Sequence, residues 1–178
     1  MKKIDIKIPN NSYPVFIGSS IFHKLVDFEI IKSNKNIFLV VDKNLYLNHQ
    51  KTISSFYEKL DGKKFFHLFE AKEENKSFNS LKEIFSKLIK NNFGRDTLLI
   101  SIGGGITGDI ASFAASIYSR GIKYIQVPTT LLSMVDSSVG GKTGINFGNT
   151  KNIIGSFYQP ELVLIDTNFL KTLPQDEI

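Results

Sequence analysis

The chain has 178 residues, a net charge of +5 from 22 Lys and Arg against 17 Asp and Glu, and no cysteine. Disulfides, thiolate metal centres and a thiol nucleophile are therefore excluded, and the scattered lysines read as a solvated surface mildly favouring anionic ligands rather than as a nucleic-acid groove. A hydrophobic content of 42% can build a core, no apolar run nears the roughly 20 residues that span a bilayer, and the basic Met1-Lys2-Lys3 start has no signal-peptide core behind it, so a cytoplasmic protein with no membrane partner is expected.

Ile4, Ile6 and Ile8 alternate with Asp5 and Lys7, the period of a half-buried strand ending at Pro9, and Val15 to Gly18 reads as its hairpin partner. A short helix is predicted from Ser20 to Phe28. Asn36 to Asp42 is a strand apolar on both faces and closed by a carboxylate. Ile53, Phe56, Tyr57 and Leu60 mark one face of a helix that Asp61-Gly62 ends. Phe65 to Phe69 is the next strand, and Phe78, Leu81, Phe85 and Leu88 line a further helix ending near Asn91 to Gly94. Thr97 to Ile102 reads as a buried strand of a parallel sheet, followed by a glycine turn and a helix carrying Ile110, Phe113, Ala114 and Ile117. Tyr124 to Pro128 and Leu162 to Asp166 are the last strands.

Strands and helices alternating across short joints predict an α/β, Rossmann-like open sheet, mainly parallel, with flanking helices and ligands at the carboxyl ends of the strands. One domain over residues 1–178 is expected. The stretch from Gly140 to Phe157 carries five glycines and little periodicity. It reads as a long irregular functional segment in which Lys142, Asn146, Lys151 and Asn152 supply donors for a phosphorylated or polyhydroxylated ligand.

Gly103, Gly105 and Gly108 satisfy G-x-G-x-x-G at a strand-to-helix turn, where bare backbone and a helix N-terminus favour phosphate. Asp42 fits either the ribose hydroxyls of an adenosine or a helix N-cap. It lies upstream of the glycines, unlike the acid of the usual dinucleotide fingerprint. Asp109 either favours the helix start electrostatically or faces a sugar or amide. Asp136 to Thr143 matches a P-loop at Gly141, Lys142 and Thr143, but Asp136 replaces the first glycine and would repel the phosphates, which argues against a nucleoside-triphosphatase. His23, His49 and His67 share no ligand spacing and read as surface or core residues.

Several blocks in order closely resemble the 3-dehydroquinate synthase family: Gly103 to Asp109, Arg120-Gly121, Gln126 to Leu132, Asp136 to Thr143, Lys151 to Pro160, and Asp166, Leu170, Thr172-Leu173-Pro174. The resemblance implies conversion of 3-deoxy-D-arabino-heptulosonate 7-phosphate to 3-dehydroquinate and phosphate, a lyase step of the shikimate pathway. It implies NAD as a catalytic cofactor and a divalent metal, zinc or cobalt. Position by position, it implies cofactor contacts at Asp42, Asn44, Glu73, Lys76, Gly104, Gly105, Gly108, Asp109, Thr129, Thr130, Leu132, Lys142, Lys151, Phe169 and Thr172. Asp136, Lys142 and Asn152 match catalytic and substrate-binding positions. Arg120 matches an arginine that reaches a neighbouring subunit's site, which implies a homodimer.

Lys72 stands where the family often has glycine, and Asp176 where it has arginine. The resemblance puts the metal ligands, one glutamate later than Glu177 and two histidines, in a helical domain beyond Ile178. The chain is therefore expected to lack its metal site and to be inactive alone, with apolar cleft surface exposed. Another sugar-phosphate cyclase and a non-catalytic NAD-binding module stay open as alternatives.

Overall fold

A computed structural model describes residues 1–9 and 11–174; Asp176 and Glu177 lie outside the described residues. Four apolar runs set the architecture. β3 (Asn36–Asp42), β5 (Leu98–Gly103), β6 (Lys123–Pro128) and β9 (Leu162–Asp166) are buried along nearly their whole length. Strands apolar on both faces need cover on both faces, and parallel crossovers supply it. With β1 (Lys2–Ile6), β2 (Tyr13–Gly18) and β4 (Lys63–Phe69) they form a seven-stranded sheet ordered β1-β2-β9-β6-β5-β3-β4. Every neighbouring pair is parallel except β1 and β2.

The pleat divides the core in two. Leu39, Val41, Ile100, Ile102 and Val127 point toward α2 (Lys43–Glu58), packing with Ile53, Phe56, Phe22 and Leu25. Phe38, Val40, Leu99 and Tyr124 point the other way, toward Leu81, Ile84 and Leu88 of α3 (Phe78–Lys90) and Ile110, Phe113 and Ala114 of α4 (Gly105–Ile117). Each such side chain contributes about 1.5–3 kcal/mol by leaving water.

Three local expectations change. The helix expected from Ser20 to Phe28 is a 3₁₀ turn, Phe22–Asp27, followed by a separate short helix, α1 (Glu29–Ser33). The Asp166 carboxylate accepts from the Ser20 and Phe22 N–H groups at 2.7 and 2.8 Å, which anchors the start of that turn. β1 is an edge strand with one neighbour that ends at Ile6 rather than Pro9; Ile4 is exposed, while Ile6 and Ile8 are half-buried against the core.

The third change is the largest. The segment from Gly140 to Phe157 is not irregular: β7 (Lys142–Phe147) and β8 (Thr150–Phe157) pair antiparallel, with a bulge between Ile145 and Phe147. Gly148, at φ +58°, takes the first central position of the two-residue turn, as a type II′ turn requires. Gly144 faces Gly155 across the pair, and a Cβ on Gly155 would sit 1.9 Å from the Thr143 carbonyl oxygen. Ile145 and Ile154 pack inward with the α4 side of the core, while Ile153 and Phe157 stay exposed.

Candidate functional site

Two adjoining clefts open at the carboxyl edge of the sheet. The first, of about 410 Å³, runs between the end of β3, the glycine turn after β5 and the loop after β6. Asp42, Asn44, Gly104, Gly105, Thr129, Thr130 and Thr172 line it. Asp42 caps α2, accepting from the Asn44 and Leu45 N–H groups at 2.8 and 3.2 Å. Both bonds go to Oδ1, so Oδ2 keeps its acceptor capacity for the cleft. The cap and the ligand reading of Asp42 are thus compatible. Burial lifts this carboxyl above its ordinary range, and the two N–H bonds oppose the lift.

Gly104 precedes α4 without a side-chain cap, and the helix makes its first internal bond from Gly108 N–H to the Gly104 carbonyl. The N–H groups of the first turn therefore have no acceptor within the helix, and the positive end of the dipole faces the cleft. Gly104 cannot carry a side chain without pressing on Thr130, whose Cγ2 would lie 3.0 Å from the new Cβ. Gly108 lies against Gln126 of β6, letting helix and sheet approach closely.

The second cleft, of about 450 Å³, lies between α4, a π-helical turn (Ser133–Ser137) and the β7–β8 hairpin. Asp109, Asp136, Ser137, Lys142 and Asn152 line it. Ser137 Oγ stands 3.3 Å from where a Gly105 Cβ would be, so this hydroxyl and that glycine form the wall shared by both clefts. Ser137 Oγ is buried with no hydrogen-bond partner, which leaves the hydroxyl available to a polar ligand.

Lys76 ties this cleft together. It is 4% exposed, and its ammonium donates to Asp109 Oδ2 at 2.5 Å and to Asn152 Oδ1. Asn152, at φ +53°, donates its N–H to Asn146 Oδ1 at 2.9 Å, and Asn146 Nδ2 donates to Glu73 Oε1 at 2.8 Å. One network therefore joins the loop after β4, the hairpin and α4. Burial raises the Asp109 carboxyl, and the Lys76 hydrogen bond works against that rise.

The remaining expected site residues fall elsewhere. Glu73, Lys76 and Lys151 line a third depression, with Lys151 Nζ 3.8 Å from Glu73 Oε1. Leu132 is 70% exposed and stands outside the first cleft's lining; Phe169 is 2% exposed and sits behind it, edge-on to Phe22. Arg120 is at the far end of α4, about 20 Å from Gly105 at 1.5 Å per residue. It lies outside the lining of both clefts. Asn48, His49 and Ser137 belong to the surroundings of the clefts; no spacing or motif singles out the first two, and Ser137 lies in the Asp136 to Thr143 block without a role of its own there. Among the described residues no cluster of three or more His, Cys, Asp or Glu could hold a metal, and no helix is long and apolar enough to cross a membrane.

The fold matches solved structures over almost its whole length. A 2-deoxy-scyllo-inosose synthase complexed with carbaglucose-6-phosphate, NAD+ and Co2+ superposes with a TM-score of 0.90 at 24% identity, covering 99% of this chain and 49% of that one. ValA, a 2-epi-5-epi-valiolone synthase from Streptomyces hygroscopicus subsp. jinggangensis 5008 with NAD+ and Zn2+ bound, gives 0.83 at 26%, covering 97% and 48%. This is the fold of the sugar-phosphate cyclases. The family described as 3-dehydroquinate synthase N-terminal matches residues 66–178. A 3-dehydroquinate synthase of Pelagibacter ubique (strain HTCC1062) is 49% identical over all of this chain and 49% of its own length. The chain belongs to the 3-dehydroquinate synthase family, and it spans about half the length of the relatives it matches.

Proposed function

We propose that this chain is the NAD-binding part of a 3-dehydroquinate synthase, which converts 3-deoxy-D-arabino-heptulosonate 7-phosphate to 3-dehydroquinate and phosphate in the cytoplasmic route to aromatic amino acids. One observation carries the reading. A cleft with a free carboxylate oxygen and a bare glycine turn shares the Gly105–Ser137 wall with a cleft holding Lys142, Asp136 and Asn152. A dinucleotide in the first would meet a sugar acid in the second.

The donor set fits NAD: Asp42 Oδ2 accepts from ribose hydroxyls, and the first-turn N–H groups of α4 receive the pyrophosphate. Once bound, NAD supplies a reversible oxidation of a substrate hydroxyl. Lys142 holds an anionic group of the substrate, and Asn152, locked by Lys76, offers a fixed amide to a hydroxyl. Asp136 accepts a hydrogen bond from the sugar and is the carboxylate best placed to take a proton in the second cleft. The described residues do not fit a divalent metal. Arg120, exposed in the turn that follows α4, serves a neighbouring copy in the proposed dimer.

Calorimetric titration of this chain with NAD tests the reading, with binding expected and weakened about tenfold by Asp42→Ala, a loss of about 1.4 kcal/mol. Joining the chain to the second half of its Pelagibacter relative should then release phosphate from the heptulosonate. A joined protein that binds NAD yet releases none would overturn the assigned reaction.

A further inference from the structure

α2 is broken at His49. Its backbone sits at φ −125°, ψ 25°, outside the helical region, although neither proline nor glycine is nearby. Breaks in helices have identifiable causes, and an unexplained backbone outlier motivates a search for function. Here the break separates two tasks. Before it, Asn44, Leu45 and Asn48 line the first cleft; after it, Ile53 and Phe56 enter the core.

The imidazole at the break has a specific partner. His49 Nε2 lies 2.7 Å from Thr172 Oγ1, and its ring meets Phe169 edge-on with centroids 5.0 Å apart. Thr172 lines the same cleft. The Thr172 hydroxyl also lies 3.2 Å from the Phe169 carbonyl oxygen, and with its proton on that carbonyl it accepts from His49. In that arrangement the ring is the neutral Nε2–H tautomer. Burial lowers the His49 pKa, with Asp166 opposing, which favours the neutral ring.

We propose that His49 is a positioning residue of the dinucleotide cleft: from the break in α2 it donates Nε2–H to Thr172 and fixes that hydroxyl as an acceptor toward the bound cofactor. This rests on the NAD reading of the cleft. With one lone pair engaged by His49 and the proton engaged by Phe169, the hydroxyl has only acceptor capacity left. It thus selects a ligand donor at that end of the cleft, an amino or hydroxyl group.

The test is a double-mutant cycle on NAD binding by this chain. His49→Phe keeps the edge-on ring against Phe169 and removes the donor; Thr172→Val removes its acceptor. Each single change is expected to weaken NAD about fivefold, the worth of one hydrogen bond. The double variant should bind no more weakly than Thr172→Val alone. A role confined to folding would instead lower the melting temperature and leave the two losses in binding additive. Nitrogen-15 NMR of the imidazole supplies a readout independent of ligand, with the Nε2–H tautomer expected in the parent and a mixed population in Thr172→Val. Additive losses, or an Nδ1–H ring in the parent, overturn the positioning role while leaving the cleft assignment intact. A parent protein that binds no NAD removes the cleft assignment, and this role with it.

Discussion

The parallel sheet and the β7–β8 hairpin are held by different physics. The sheet buries whole strands, so its stability is spread over dozens of apolar contacts, none decisive. The hairpin has two strands, one exposed face and only Ile145 and Ile154 turned into the core. A two-stranded unit of that kind is marginal in water. It is held largely by polar devices: a glycine pair that lets backbones touch, the Ser156 hydroxyl bonded to Ser116 of α4, the Asn146 bonds to Glu73 and Lys76, and the Lys76 ammonium that bridges Asn152 to Asp109. The second cleft is built from the part of the molecule with least redundancy.

That contrast can be broken at single atoms. Gly155→Ala puts a Cβ 1.9 Å from a backbone oxygen that has no room to move. It should cost on the order of 5 kcal/mol or unpair the hairpin outright. Hydrogen exchange would show protection lost at Thr143 to Phe147 while β3 and β5 keep theirs; retained hairpin protection would refute the glycine argument.

Lys76→Met comes next, at about 3 kcal/mol, because it strands the half-buried Asp109 carboxylate without its counter-charge. Asp109→Asn added to it should recover most of that loss in a urea titration. If the double variant is no more stable than Lys76→Met, the ion pair is not what holds the network.

His67 sharpens the comparison from the sheet side, as a polar exception on β4. Its Nδ1 accepts from Lys87 Nζ at 2.7 Å, and Nε2 is buried with no partner. Burial first and then Lys87 hold its pKa down to about 4, against the opposing charge of Glu83. The ring is therefore neutral when folded and takes a proton when unfolded below the ordinary value of 6.5. Its contribution is complete above pH 6.5 and is lost as the pH falls toward 4. At 1.36 kcal/mol per unit the loss is at most about 3 kcal/mol. His67→Phe should flatten the urea midpoint between those pH values relative to the parent; an unchanged slope would show that the ring does not titrate this way.

Asp42 gives the smallest effect. Asp42→Ala removes a helix cap worth about 1 kcal/mol, whereas Asp42→Asn caps nearly as well. Thermal melting should separate the two variants, while NAD titration should find both weakened. If Asp42→Asn retains full NAD affinity, the charge of Oδ2 is irrelevant to binding.

How much was legible in the sequence follows the same division. Continuous apolar runs marked β3, β5, β6 and β9 because burial on both faces leaves no polar position to confuse the period. The hairpin was hidden by its own necessities. Gly144 and Gly155 interrupt the alternation where backbones must approach, and Lys151-Asn152 faces solvent and network rather than core. Gly148-Asn149 behind Ile145 and Phe147 was the available cue, a two-residue turn sequence. At the site, the glycine turn and Asp42 stood out because strand ends are where ligands sit in open sheets. Lys76 stood out only through the family resemblance, and its burial did not stand out at all. In Lys72 to Lys76 it reads as one more solvated charge, and only tertiary packing buries it. The break at His49 has no local sequence cause, so it too belonged to the folded state alone.

The pairing of β2 with β9 carries a consequence for how the protein is made. Val15 to Gly18 hydrogen-bond beside Val163 to Asp166, and the Asp166 carboxylate secures the backbone just after β2. During synthesis the N-terminal ribbon must wait for about 150 residues to follow it, some 7 to 30 seconds at ribosomal speed. Until then one flank of the nascent sheet is open, and a stalled ribosome near residue 150 should leave β1 and β2 accessible to protease while β3 to β5, already emerged, are better protected.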